Sequence, residues 1–149
     1  MLGTVTKKLR ILGFDCKYSA TISDEDLVLI AKKENRVIIT RDHQLAINAK
    51  RHDVLAVELS VRAEKDQMIQ IAESLGLGKY EFSADNARCS MCNGDLHEVE
   101  KGQVMDKIPQ KTAQNTERFW VCDDCKHVYW EGTHIRNLEK LIAEINEKI

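Results

Sequence analysis

Cys89-Ser-Met-Cys92 and Cys122-Asp-Asp-Cys125 are two Cys-x-x-Cys turns in a chain with 5 cysteines. A turn of this spacing points two sulfurs at one centre, and two such turns complete a tetrahedron of thiolates around Zn²⁺. Redox dithiols or paired disulfides are the alternatives. Without an apolar signal-peptide core at the start of the sequence, metal binding takes precedence over disulfides. A closed four-cysteine site leaves no position for water or substrate, so Zn²⁺ is expected to be structural, organising a zinc ribbon over residues 87–133. His97, His127 and His134 could each replace a sulfur, but four cysteines suffice, and surface or core roles are expected for all three. Cys16 is read as a small buried apolar residue.

A second group of residues could do different chemistry. Asp42 follows the β-branched run Val37-Ile38-Ile39 directly and precedes a helical pattern. In open parallel sheets, ligand sites gather beyond the carboxyl ends of strands. Asp24, Glu25 and Asp26 stand in the first turn of the preceding helix and could face the same crevice. Clustered carboxylates suit Mg²⁺ or Mn²⁺, which can activate water and clamp a phosphate during phosphodiester hydrolysis. The plainer readings are that acidic residues in a first helical turn answer the helix dipole, and that Asp42 caps the next helix. Thr40 and Arg41 could position a phosphate or simply end the strand. Lys7, Lys8 and Arg10 could track an RNA backbone or form a solvated helix face.

These residues must be positioned by alternating elements. Leu2, Val5, Leu9 and Leu12 recur at helical spacing and Gly13 stops the helix. A short strand is expected near Cys16–Tyr18. Ser23 opens a second helix with apolar face Leu27, Ile30 and Ala31. Val37–Ile39 and Val54–Leu59 are strands, separated by a helix through Leu45, Ala46 and Ala49. Met68, Ile69, Ala72 and Leu75 form a further helix closed by Gly76. This alternation predicts an α/β domain over residues 1–80, with a parallel sheet flanked by helices. Residues 76–86 read as a junction. In the 87–133 ribbon, Pro109 sits in a polar loop and the segment between the knuckles is expected to form a small β-sheet. Residues 134–149 are a C-terminal amphipathic helix carrying Ile135, Leu138, Leu141, Ile142, Ile145 and Ile149.

The formal net charge of -2 argues against a strongly basic nucleic-acid binder, although residues 1–80 are mildly basic and residues 81–149 acidic. Any nucleic acid would have to meet a local basic surface. No apolar run approaches the ~20 residues a membrane helix requires, so no membrane partner is expected and the cytoplasm is the default location.

Met1-Leu-Gly, Lys8-Leu-Arg-Ile-Leu-Gly-Phe-Asp15, Ser23-Asp24, Arg36-Val-Ile-Ile-Thr-Arg-Asp42, the Cys89–Cys92 turn and Phe119-Trp-Val-Cys122 through Tyr129-Trp-Glu-Gly-Thr-His134 resemble the mut-seven C-terminal RNase domain family over nearly the whole chain. The resemblance implies a PIN-like nuclease domain fused to a zinc ribbon, acting as a metal-dependent endoribonuclease, with ribosomal RNA or the ribosome as candidate partner by analogy. It assigns Asp42 and Asp24, with Asp26, as catalytic acidic residues. In the family, Met-Leu-Gly follows a strand ending in Val-Asp, whose aspartate is a principal metal ligand. The sequence starts at Met1 of that motif, so the domain reads as N-terminally shortened, and an upstream extension is expected to supply the strand. Two rival functions remain at this stage: a non-catalytic RNA- or ribosome-associated binding module on the same fold, and a zinc-ribbon adaptor for protein interactions. Trp120, Tyr129 and Trp130 beside the second knuckle could stack on bases, though filling the ribbon's small core is the commoner role.

Overall fold

The computed structural model describes residues 2–149, so Met1 of the Met-Leu-Gly motif lies outside the described residues. The chain divides into two compact units. One contains the chain up to Val5, Tyr18–Lys79 and Lys148–Ile149, and the other contains Thr6–Lys17 and Tyr80–Glu147. Helix α1 (Leu2–Ile11) contributes its first residues to the first unit and the rest to the second.

In the first unit the order is α2 (Asp24–Lys33), β1 (Ile38–Thr40), α3 (His43–Arg51), β2 (Ala56–Glu58) and α4 (Glu64–Leu75). β1 and β2 pair in parallel, with Ile38 opposite Ala56 and Thr40 opposite Glu58. Parallel neighbours need a crossover, and α3 supplies it. Val28, Ala31, Ile38, Leu45, Ala49 and Val54 form one buried cluster beneath these elements, with Leu27 and Ala56 packed at its margin. The sequence reading of α2 is corrected here: its buried stripe runs through Val28 and Ala31, while Ile30 is exposed. Ile30 lies about 130° round the helix from the centre of that stripe, beyond the face that meets the core. Ser23 caps α2 as expected, its hydroxyl accepting the Asp26 amide at 3.2 Å. Gly76, at φ 61°, ends α4 in the left-handed conformation that suits glycine.

In the second unit, α1 closes on Gly13 at φ 98°. The Phe14 amide reaches the Leu9 carbonyl at 3.0 Å and the Gly13 amide the Arg10 carbonyl at 2.9 Å, the paired bonds of a Schellman end. The strand expected at Cys16–Tyr18 is not formed. Side chains satisfy the Cys16 backbone in place of a ladder: its amide donates to Asn93 Oδ1 at 3.1 Å and its carbonyl accepts from Arg10 Nε at 2.7 Å. Cys16 itself is partly exposed rather than buried.

β3 (Leu96–Val99), β4 (Phe119–Cys122) and β5 (Val128–Trp130) form a separate antiparallel sheet in that order. The register sets Leu96 opposite Cys122, Val99 opposite Phe119, and Phe119 opposite Trp130. The segment between β3 and β4 is more helical than expected. It contains 3₁₀ turns at Lys101–Gln103 and Met105–Lys107, then α5 (Gln110–Asn115). Pro109 precedes α5 with φ −62°, so the ring's fixed dihedral leads the chain into that helix. α6 (Thr133–Asn146) buries Ile135, Leu138, Ile142 and Ile145, whereas Ile149 lies past the helix and is exposed. Its Asn146 side chain accepts the Tyr80 amide and donates to the Tyr80 carbonyl, both at 2.9 Å. Among the described residues, no helix is long and apolar enough to cross a membrane.

Candidate functional site

The four paired cysteines converge. Their Sγ atoms all lie within 4.8 Å of one another, with Cys89 to Cys125 at 3.5 Å and Cys92 to Cys122 at 3.4 Å. A tetrahedron of thiolates with Zn–S bonds near 2.3 Å has edges of about 3.8 Å, so these positions fit zinc. They do not fit disulfides, whose sulfurs stand about 2.05 Å apart. Cys89 and Cys122 are buried, while Cys92 and Cys125 face solvent.

Each knuckle is built by the same backbone device. The Asn93 amide bonds the Cys89 carbonyl at 2.8 Å, and the Lys126 amide bonds the Cys122 carbonyl at 3.1 Å. The Cys89 amide returns to the Gly94 carbonyl at 2.9 Å, and the Cys122 amide to the His127 carbonyl at 3.0 Å. Asn93 and Lys126 occupy equivalent places just after the second cysteine, at φ 71° and 66°. That left-handed turn folds each pair of sulfurs inward. The Asn93 side chain also holds the chain after α1, donating to Asp15 Oδ1 at 2.7 Å while it accepts from Cys16.

Tyr129 supports the site from β5. Its hydroxyl donates to Cys89 Sγ at 3.0 Å and accepts the Ser90 amide at 3.1 Å. Burial opposes ionisation of Cys89, but the Tyr129 hydroxyl and the amides of Cys92 and Met91 outweigh it, and the thiol is lowered to about 7. Cys92 moves the other way: the Gly94 amide lowers it, but desolvation and the neighbouring thiols together push it up to about 12. Four sulfurs this close cannot share full negative charge without a cation, and a divalent ion at their centre removes the conflict.

Gly94 is a residue the sequence reading missed. A Cβ there would sit 2.9 Å from Cys122 Sγ, 3.2 Å from Cys92 Sγ and 2.6 Å from Asp124 Oδ2. The exposed Asp124 side chain can move, but a metal-bound sulfur cannot. Gly94→Ala is therefore expected to cost about 1–3 kcal/mol of stability and to loosen metal binding. Thermal melting and competition with a chromogenic chelator measure the two effects. The Cys-x-x-Cys-x-Gly spacing was the available signal.

The acidic residues are arranged differently. Asp42 ends the β1 edge, exposed, and is the N-cap of α3. Its Oδ1 accepts the Gln44 amide at 2.9 Å and the Leu45 amide at 3.2 Å, and Oδ2 takes no part in those bonds. The buried Thr40 hydroxyl accepts the Asp42 amide at 2.9 Å, so Thr40 positions the aspartate. Asp24 and Asp26 are exposed in the first turn of α2, and α2 packs against α3. Among the described residues, the four cysteines are the group of three or more potential ligands drawn together, and these aspartates do not form a second. One further carboxylate stands at the carboxyl end of a parallel strand: Glu58, last in β2, bonds Nδ1 of His43, the first residue of α3, at 2.8 Å. The same strand-end rule that singled out Asp42 could have found Glu58.

Of the basic residues, Arg41 and Lys7 are exposed and Lys8 half-buried. Arg10, expected beside them on a solvated face, is buried instead. Its guanidinium donates to the carbonyls of Cys16 at 2.7 Å and Ser90 at 3.0 Å, bracing the segment after α1 against the first knuckle.

A small parallel sheet with acidic residues at its carboxyl ends, and a separate antiparallel sheet carrying a four-cysteine site, define a mixed α/β protein able to hold a metal such as zinc. The family model described as the Mut7-C RNAse domain matches residues 1–142, and the chain belongs to that family. No curated protein and no solved structure matches it. Family membership points to a nuclease-like or RNA-related role, with RNA as substrate or partner.

Proposed function

We propose that this protein is a metal-dependent endoribonuclease of the cytoplasm, with a PIN-like nuclease domain in residues 1–80, a structural zinc ribbon in residues 87–133 that aids RNA binding, and a C-terminal helix in residues 134–149. The match to the RNAse domain over residues 1–142 carries this reading. Asp42, with Asp24 and Asp26, is assigned to the catalytic Mg²⁺ or Mn²⁺, and Arg41, Lys7 and Lys8 to the RNA backbone. Ribosomal RNA is the candidate substrate. Mg²⁺ commonly takes only one or two carboxylates and completes its shell with water and substrate phosphates, so separated aspartates suit it better than a closed cage would. When bound, such an ion supplies an activated water and charge neutralisation at the phosphate. Thr40 holds Asp42 in place through the amide bond described above.

The test is a cleavage time course on single-stranded RNA with and without Mn²⁺, using zinc-loaded protein. Cleavage that requires Mn²⁺ is expected. Absence of cleavage under both conditions, with RNA still bound, would favour the second reading, a non-catalytic RNA-binding module. That reading draws its support from the aspartates not being gathered into a cluster.

A further inference from the structure

Both tryptophans of the chain, Trp120 and Trp130, line one cavity of about 230 Å³ in the second unit. Sites for drug-sized ligands enclose roughly 300–1,000 Å³, so this cavity suits one chemical group of a larger molecule. Its aromatic wall, which includes Phe82, suits a flat ring. The charged lining residues are Arg88 and Glu131, of opposite sign, which leaves no surplus of positive charge to hold a phosphate. His134 also lines it, and burial shifts its imidazole below the usual range. It is therefore neutral at pH 7 and offers one donor and one acceptor. An alkyl chain would desolvate these polar groups without replacing their hydrogen bonds. A nucleobase carries both a π face and an edge of donors and acceptors.

We infer that this cavity takes an unpaired base of single-stranded RNA, its ring against the aromatic wall and its edge toward Arg88, Glu131 and His134. The inference rests on the RNA reading above and gives the ribbon unit a base-binding subsite of its own. Arg88 already donates to the Asn93 carbonyl at 3.3 Å and to Asp95 Oδ1 at 3.4 Å, and a guanidinium has five N–H donors to share.

The chain's only two tryptophans report occupancy of this cavity directly. Zinc-loaded full-length protein, without added Mg²⁺ or Mn²⁺, is titrated with a short oligoadenylate and with an abasic oligomer of equal length. Saturable quenching by the oligoadenylate alone is expected. Ala84→Leu, which adds bulk to the same lining, should weaken that binding about tenfold, comparable to the loss of a stacking partner, without changing zinc content. Equal quenching by the abasic oligomer, absence of quenching, or undiminished binding by folded Ala84→Leu would each overturn the inference. Protein that binds oligoadenylate yet never cleaves RNA keeps this inference and loses the nuclease reading. Protein that cleaves RNA without base-dependent quenching does the reverse.

Discussion

Asp42→Asn is expected to reduce Mn²⁺-supported RNA cleavage at least about 100-fold, while leaving the melting temperature and RNA binding close to those of the parent. Partners that merely support a metal ligand already cost 10–100-fold when removed, so loss of a ligand's charge should cost at least as much. The second half of the prediction comes from the cap. Asp42 Oδ1 accepts the Gln44 and Leu45 amides at the start of α3, and asparagine caps helices about as well as aspartate does. The substitution thus removes the charge and spares the helix. Asp42→Ala removes both and should additionally cost about 1 kcal/mol of stability. Cleavage rates and thermal melts on the three proteins separate the roles. If Asp42→Asn cleaved like the parent while Asp42→Ala was only less stable, Asp42 would be a cap and nothing more.

How far the sequence reveals this arrangement depends on the range of the interactions involved. The end of β1 and the Asp42 cap are local, set by residues within a few positions of one another, and the resemblance to the family rested partly on them. Gly13 and Gly76 were legible for the same reason, since a helix stop needs only its own last turn. The gathering of the four paired cysteines at one centre able to hold a metal was legible because thiolate pairs at this spacing have few other uses. Gly94 was not, because its lack of a side chain matters only once Cys122, remote in sequence, closes onto the first knuckle. Arg10 escaped for a related reason: its position relative to Leu9 and Leu12 gave no sign that carbonyls of Cys16 and Ser90 would converge on it. The same carbonyl capture, together with Asn93, removed the strand expected at Cys16–Tyr18. α5 carries no apolar stripe, burying Ala113 alone, so periodicity had nothing to detect.

Removing zinc is expected to collapse the β3-β4-β5 sheet, with tryptophan emission shifting red and recovering when Zn²⁺ is restored. Trp120 lies on β4 and Trp130 on β5, so both reporters sit in the sheet that the cysteines close. The sheet has an apolar core of its own around Phe119 and Trp120, and the question is whether that core suffices. Whole domains are stable by only about 5–15 kcal/mol. Structural zinc binding in small ribbons and fingers is worth an apparent ~10–16 kcal/mol. Losing a term of that size exceeds what this core can offset, and it leaves the Cys89 and Cys122 thiols fully buried without the ion they fit. Protein as purified should carry one zinc per chain by elemental analysis. Replacing buried Cys122 with Ser should mimic chelation, whereas Cys125→Ser, at an exposed ligand, should weaken binding with less structural loss because water can complete the shell. Unchanged tryptophan emission and melting in demonstrably zinc-free protein would show that the apolar core alone holds the sheet, and that the cysteines serve a metal the fold does not require.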